Sequence, residues 1–116
     1  MKTFAGRKLS RPTGHRRAML RNMAASLLQN EQVRTTHAKA KEVVRVAEHV
    51  LAVAKRKTLA SQRWVAAEIP DRVIRQKIYE VLVPRYQARV GGCCRVFRLS
   101  ARVGDGAEMA LVKLLQ

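Results

Sequence analysis

The most regular hydrophobic pattern in the chain lies between residues 37 and 57. Apolar residues recur there at intervals of three or four, which places them along one face of an α-helix. They are Ala40, Val43, Val44, Ala47, Val50, Leu51 and Ala54. We therefore predict a helix over this segment, with Thr36 as its N-terminal cap.

Residues 15–29 show the same spacing together with a group of arginines. The apolar stripe consists of Met19, Leu20, Met23, Ala24, Leu27 and Leu28. Arg17 and Arg21 are one helical turn apart, with Arg16 beside them, and we expect all three to point away from the stripe. This pattern predicts a helix with one core face and one cationic face.

Two shorter segments also have helical character. Residues 59–67 surround Trp64, and residues 71–82 begin after Pro70 with an acidic residue that favours a helix N-terminus. Pro84 should end the second of them, because proline cannot continue the helical hydrogen bonding.

Three segments are typical of strands. Residues 32–36 are short and β-branched, and residues 93–100 and 109–115 are apolar runs separated by a turn signal, Val103–Gly106. Because a lone hairpin is marginal in water, we expect the three to form one small mixed sheet. About four helices would pack against it, giving an α+β fold. Residues 1–14 lack periodicity and are predicted to be an extended basic arm, and residues 15–116 a single domain.

Charge identifies the class of partner. The chain has 24 Lys+Arg against 8 Asp+Glu, a formal net charge of +16, and its first carboxylate is Glu31. Such an excess needs a polyanion to offset it, and the usual one is nucleic acid. Arginine predominates over lysine, and its planar guanidinium binds phosphate through two hydrogen bonds.

The residues that would support catalysis are sparse. His15, His37 and His49 have no metal-ligand spacing, and the adjacent Cys93 and Cys94 form neither a disulfide framework nor a zinc motif. We read the cysteines as free thiols. The sequence predicts no enzyme activity, cofactor, metal site or small-molecule substrate. It has no apolar run of about 18 residues that would insert into a membrane.

The choice between RNA and DNA depends on how the charge is distributed. The basic residues are spread over the arm, the helices and the hairpin, which suits a protein wedged among RNA helices and reading their shape. A helix-turn-helix would instead join two short helices by a tight turn, whereas here the first helix is followed by a strand. Structured RNA is the favoured partner, and a DNA-binding nucleoid or regulatory protein is the alternative. A membrane-surface helix ranks third, because residues 15–29 lack aromatic side chains.

Several motifs resemble one known family. They are GHRRAMLRNMA (residues 14–24), TTHAKAKE (35–42), LAVAK (51–55), PRY (84–86) with Arg89 and Gly91-Gly92, and Arg102, Gly104, Asp105, Ala107, Met109 and Ala110. In this order and spacing they resemble the bacterial-type large-subunit ribosomal protein seventeen family. The likeness extends from about residue 7 to residue 115.

The resemblance implies a structural constituent of the large ribosomal subunit, not an enzyme, bound to large-subunit rRNA near the nascent-chain exit region. Its partners would be large-subunit rRNA and neighbouring large-subunit ribosomal proteins. Matching positions predict these RNA contacts: His15, Arg16, Arg17, Arg21, Asn22, Thr35, Thr36, Lys39, Lys41, Arg89, Arg95 and Arg102. Charge adds Arg7, Lys8 and Arg11 of the arm and Arg98 of the hairpin.

The chain departs from the family pattern at three places. Cys93-Cys94 replaces an aromatic-threonine pair, so we expect a contact to be missing there. Gly106-Ala107-Glu108 replaces Asn-x-Pro, so we expect a looser turn. The opening, MKTFAGRKLSR, differs from the usual MRHR and resembles the fungal mitochondrial branch. The predicted compartment is therefore the mitochondrial matrix, in ribosomes, with ribosomes of the bacterial cytoplasm as the alternative.

Overall fold

The computed structural model describes residues 9, 12–89 and 91–115. The helices are α1 (Thr13–Asn30), α2 (His37–Ala54), α3 (Leu59–Glu68), α4 (Arg72–Lys77) and α5 (Val83–Arg85), with a π-helical turn (Ile78–Leu82) between the last two. The strands are β1 (Gln32–Thr36), β2 (Cys94–Arg98) and β3 (Met109–Leu114). The predicted α+β fold is confirmed, with each predicted helix and strand present at nearly its predicted position.

The three strands form one sheet in the order β1-β3-β2. Both pairings are antiparallel: Arg34 lies opposite Leu111, and Leu111 lies opposite Phe97. The prediction of a mixed sheet is therefore wrong. The helices between β1 and β2 return the chain so that both edge strands run antiparallel to the central strand. The hydrophobic periodicity of a single strand does not indicate its direction relative to its neighbours.

One face of the sheet supports the helices. Along β3, Ala110, Val112 and Leu114 are buried, while Lys113 between them is exposed. This alternation is that of a sheet covered on one side only. Helices α1 and α2 pack on the covered side. The largest fully buried side chains include Leu27, Leu28, Leu51, Ile69, Ile78, Leu82 and Leu114.

Glu31 joins the end of α1 to the rest of the domain. It adopts a left-handed conformation with φ of 66° and donates its N–H to the carbonyl of Leu27, which ends the helix. Its carbonyl accepts from Leu114 N–H at 2.9 Å. Its carboxylate pairs with Arg85 and, at 3.2 Å, with Lys77. One residue thus connects α1, β3 and the α4–α5 segment.

The segment from α4 to α5 extends beyond the predicted helix and through Pro84. Asp71 caps α4, its Oδ1 accepting from Val73 N–H at 2.9 Å. The π-helical turn then bonds Val83 N–H to the carbonyl of Ile78, five residues earlier. Pro84 has no N–H to donate, and the wide turn carries the helical path past it. The prediction that Pro84 would end the helix before residue 83 is corrected accordingly.

Candidate nucleic-acid interface

The predicted contact residues fall in three places on the domain. One group lies on the N-terminal half of α1, a second lies where β1 ends and α2 begins, and Arg89 and Arg95 lie towards the other end of the sheet. Arg7, Lys8 and Arg11 lie outside the described residues.

Four of the predicted contact residues are exposed on α1 and are here called the α1 cationic face: His15, Arg17, Arg21 and Asn22. Arg16 does not belong to it, because this residue is only 7% exposed. Arg16 precedes Leu20 by four residues and Ala24 by eight, so helical spacing puts it on the side of α1 that faces the core. The expectation that Arg16 points away from the apolar stripe is therefore wrong.

Arg21 of this face has a protein partner. Its Nε donates to Glu68 Oε2 at 2.9 Å and its Nη2 donates to Glu68 Oε1 at 3.1 Å. These two hydrogen bonds therefore connect α1 to the C-terminal end of α3. The Arg21 side chain is 44% exposed, which leaves Nη1 available on the surface.

The second group is here called the α2-end cluster: Thr35, Thr36, Lys39, Lys41, Arg98 and Arg102. The strand register brings its members together. Thr35 and Arg98 both lie opposite Ala110, on either side of the central strand. Helix α2 begins directly after Thr36, and His37 N–H donates to the carbonyl of Glu108 at 2.9 Å. Residues distant in sequence thus share one end of the sheet.

The loop that carries Arg102 is held by its own hydrogen bonds. Arg102 pairs with Asp105 through two nitrogens, and Arg102 N–H donates to the carbonyl of Ala107 at 2.8 Å. Asp105 Oδ1 also accepts from Ala107 N–H at 3.1 Å. The Arg102 guanidinium lowers the pKa of Asp105 to about 2. These bonds close the turn that carries Arg102.

Arg89 and Arg95 lie away from the α2-end cluster. Arg95 is exposed on β2 and lies opposite Lys113 of β3. The carbonyl of Arg89 accepts a hydrogen bond from Lys55 Nζ, while the Arg89 side chain is on the surface. These two positions extend the positive surface along the sheet.

Sequence reasoning did not single out Arg34 or Lys113. Both are exposed and lie on the sheet face opposite the helices, as does Phe97, which is 50% exposed. Alternation along a strand indicates on which side of the sheet each residue lies, but it does not indicate which strands pair, so these residues could not be grouped from the sequence. The register is what brings them together.

Cys93 and Cys94 are free thiols, as predicted, and both are buried. Burial, reinforced by the charge of Glu48, raises the pKa of Cys94 to about 12, and burial also raises that of Cys93. Cys94 N–H lies 3.4 Å from Glu48 Oε1. Both side chains belong to the core and offer no surface contact at this position.

The described part of the chain holds neither a cluster of metal-binding side chains nor a membrane-spanning helix. Among residues 9, 12–89 and 91–115, no group of three His, Cys, Asp or Glu side chains is placed to hold a metal ion. No helix within those ranges is long and apolar enough to cross a membrane. What the described surface does offer is exposed arginine and lysine.

The fold and this surface define a basic α+β protein of the kind that binds structured nucleic acid. The sequence profile described as Ribosomal protein L17 matches residues 19–115. The chain is also 42% identical, over 112 residues, to the large ribosomal subunit protein bL17 of Trichlorobacter lovleyi, covering 97% of this chain and 90% of the relative. The chain belongs to the ribosomal protein L17 family.

Membership of this family confirms the function predicted from the sequence, a structural constituent of the large ribosomal subunit. The family is structural and not catalytic. The alternative of a DNA-binding nucleoid or regulatory protein gains no support.

Proposed function

We propose that this protein bridges two segments of large-subunit rRNA, one held by the α1 cationic face and the other by the α2-end cluster. In both places arginine and lysine bind phosphate oxygens, while threonine and asparagine bind phosphate or ribose hydroxyl groups. Such contacts recognise the shape of folded RNA and not its base sequence. The residues carrying them would be those predicted from the sequence, apart from the buried Arg16.

The observation that supports this proposal is the way acidic and basic residues pair. Glu31, Glu68 and Asp105 each accept from arginines of the domain. Arg17, Lys39 and Arg98 take part in no ion pair within the described ranges, although acids lie elsewhere on the surface. Their charge is therefore free for an external anion.

A rigid core separates the two binding surfaces. Arg17 lies on α1, whose N-terminal half is tied to α3 through Arg21 and Glu68. Arg98 lies at the end of β2, on a sheet with antiparallel pairing throughout. Helix α1 and the sheet both pack on α2, so the surfaces cannot move independently without disrupting this packing. A domain of this kind fixes the relative position of the two RNA segments that it contacts.

The arm adds a third element to the proposal. Arg7, Lys8 and Arg11, which precede α1 in the sequence, would contact further rRNA phosphates. Residues 15–116 would form the domain that anchors the arm. Neighbouring large-subunit proteins would contact the remaining surface.

The subcellular compartment of the protein requires an experiment of its own. The opening of the chain predicts the mitochondrial matrix, whereas the bacterial source of the 42%-identical relative favours the alternative, ribosomes of the bacterial cytoplasm. Fractionation of the source cells, followed by detection of the protein in purified ribosomes of each compartment, distinguishes the two.

Sedimentation of large subunits tests the bridging proposal. Wild-type protein should co-sediment with large subunits and remain bound after a high-salt wash. Arg17→Glu and the double variant Lys39→Glu/Arg98→Glu should each be recovered at a several-fold lower level after that wash. Arg63→Glu on α3 is the matched control, because Arg63 is exposed and outside both surfaces. Equal retention of all four proteins would refute the proposal.

A further inference from the structure

The face of the sheet that the helices leave uncovered combines an aromatic ring with positive charge. Its outward side chains are Gln32, Arg34 and Thr36 of β1, Arg95 and Phe97 of β2, and Met109, Leu111 and Lys113 of β3. We call these eight residues the open sheet face. We infer that it holds an unpaired nucleotide of rRNA, whose base stacks on Phe97 and whose phosphates bind Arg95 and Lys113. This inference rests on the proposed function.

The register places these groups within reach of one nucleotide. Arg34, Leu111 and Phe97 form one row across the sheet, and Lys113 and Arg95 lie in the next outward row. Directly opposed residues of antiparallel strands have Cβ atoms about 5 Å apart, and long side chains also reach diagonal neighbours. A base lying on Phe97 therefore has a cation on more than one side of its sugar and phosphates.

The ring of Phe97 and a neighbouring leucine are both open at the surface of this face. Phe97 is 50% exposed and Leu99, which follows β2, is 36% exposed. Leu99 N–H donates to the carbonyl of Met109 at 2.9 Å, so Leu99 extends the same face. Phe97 and Leu99 therefore place two exposed apolar side chains next to each other on a face that also carries cations.

The chemistry of the face favours RNA over a protein segment. Three of its eight residues are cationic and none is acidic. An aromatic ring flanked by arginine and lysine is the arrangement with which proteins bind single-stranded bases, through stacking and phosphate contacts together. Because Phe97 is the one aromatic residue among the eight, the face suits one stacked base and not a long single strand.

A surface groove continues this face towards the α2-end cluster. It measures about 470 Å³, and its walls include Arg34, Leu99 and Val103. Arg102 of the α2-end cluster also lines it. An RNA strand that continues from the base on Phe97 can therefore follow the groove to the α2-end cluster.

Binding of a short RNA tests the inference. The probes are single-stranded octa-adenylate, a duplex RNA of the same length, and purified large-subunit rRNA. Phe97→Leu removes the ring but keeps an apolar side chain, and it should bind octa-adenylate about tenfold more weakly than wild type, which is the usual scale for losing one stacked base. Phe97→Tyr should bind it as wild type does. Duplex binding should be unaffected in both variants.

Val73→Ala is the matched control, because Val73 is an apolar residue 68% exposed on α4, away from the sheet. Thermal unfolding of each variant verifies that it folds. Equal binding of octa-adenylate by wild type and Phe97→Leu overturns the inference. If wild type binds the large-subunit rRNA but not octa-adenylate, the inference fails while the proposed function stands. If wild type fails to bind that rRNA, the proposed function itself fails.

Ultraviolet crosslinking of assembled large subunits gives a second, independent result. A nucleotide attached to the peptide that contains Phe97 supports the inference. A neighbouring protein chain found against that peptide instead would overturn it.

Discussion

Arg21 and Glu68 form a two-bond ion pair between α1 and α3, with nitrogen–oxygen distances of 2.9 and 3.1 Å. Sequence reasoning had assigned Arg21 to RNA alone. The pair gives this arginine a structural role, and only its remaining nitrogen is left for phosphate. Arg17, one turn earlier on the same face, is exposed and takes part in no ion pair within the described ranges.

The Arg21–Glu68 pair should contribute modestly to stability. Since the arginine side chain is 44% exposed, solvent weakens the attraction. We expect a coupling energy of about 0.5–1 kcal/mol in a double-mutant cycle of Arg21→Ala and Glu68→Ala. Chemical denaturation of the four proteins measures it. Strictly additive losses would show that the pair contributes nothing.

Arg17→Ala should weaken rRNA binding without changing stability. The side chain lies on the surface, and one lost phosphate contact reduces the slope of log affinity against log salt by about 1. Filter binding to large-subunit rRNA at several salt concentrations measures this slope. Arg63→Ala, exposed on α3, serves as the control and should leave the slope unchanged. An unaltered slope for Arg17→Ala would remove this residue from the interface.

Glu31→Gln should lower the free energy of unfolding by about 1–2 kcal/mol at neutral pH, because it weakens bonds to Arg85 and Lys77. The hydrogen bond from Arg85 is the main reason that the pKa of Glu31 lies below its usual value, with burial opposing and Lys77 assisting. A carboxylate with a lowered pKa stabilises the fold above its unfolded pKa, about 4.3.

The pH dependence of this effect follows from the same shift. The difference between wild type and Glu31→Gln should be constant from about pH 6 to 8, and it should shrink as the pH falls below about 4 and through the folded pKa. Urea denaturation at a series of pH values measures the difference. If the difference in stability between the two proteins increased in acid, it would contradict the conclusion that the pKa of Glu31 is lowered in the folded protein.

Cys93 and Cys94 should react slowly with a thiol reagent in the folded protein. Both are buried, and burial is the main cause that raises the pKa of each thiol, that of Cys94 to about 12, which disfavours the reactive thiolate at pH 8. Absorbance with Ellman's reagent should show little reaction under native conditions and full reaction of both thiols in guanidinium chloride. Rapid native reaction would place the thiols at the surface.

The positions of helices and strands followed from the sequence because their signals are local. Spacing of three or four identified α2, and β-branched composition identified β1, each within a few residues of its observed bounds. The order and direction of the strands did not follow, since they depend on how the helices return the chain. The path through Pro84 was also missed, because a π-helical turn has no pattern of its own in the sequence.

The residue types of the candidate site could be predicted from the sequence, but the positions and partners of its side chains could not. Excess arginine indicated RNA, yet the sequence did not show that Arg16 would be buried or that Arg21 would be held by Glu68. Both outcomes depend on which helix packs against α1. Likewise, only the strand register shows that Arg34 and Phe97 lie on either side of Leu111.

Directed hydroxyl-radical cleavage tests the bridging of two rRNA segments most directly. An iron chelate can be attached to a cysteine introduced at Ser26 on α1 or at Ser100 beyond β2, both exposed, because the native thiols are buried. In assembled large subunits, we expect the two tethers to cleave different segments of large-subunit rRNA. Cleavage of the same segment from both sites, or of no rRNA from either, would contradict the account.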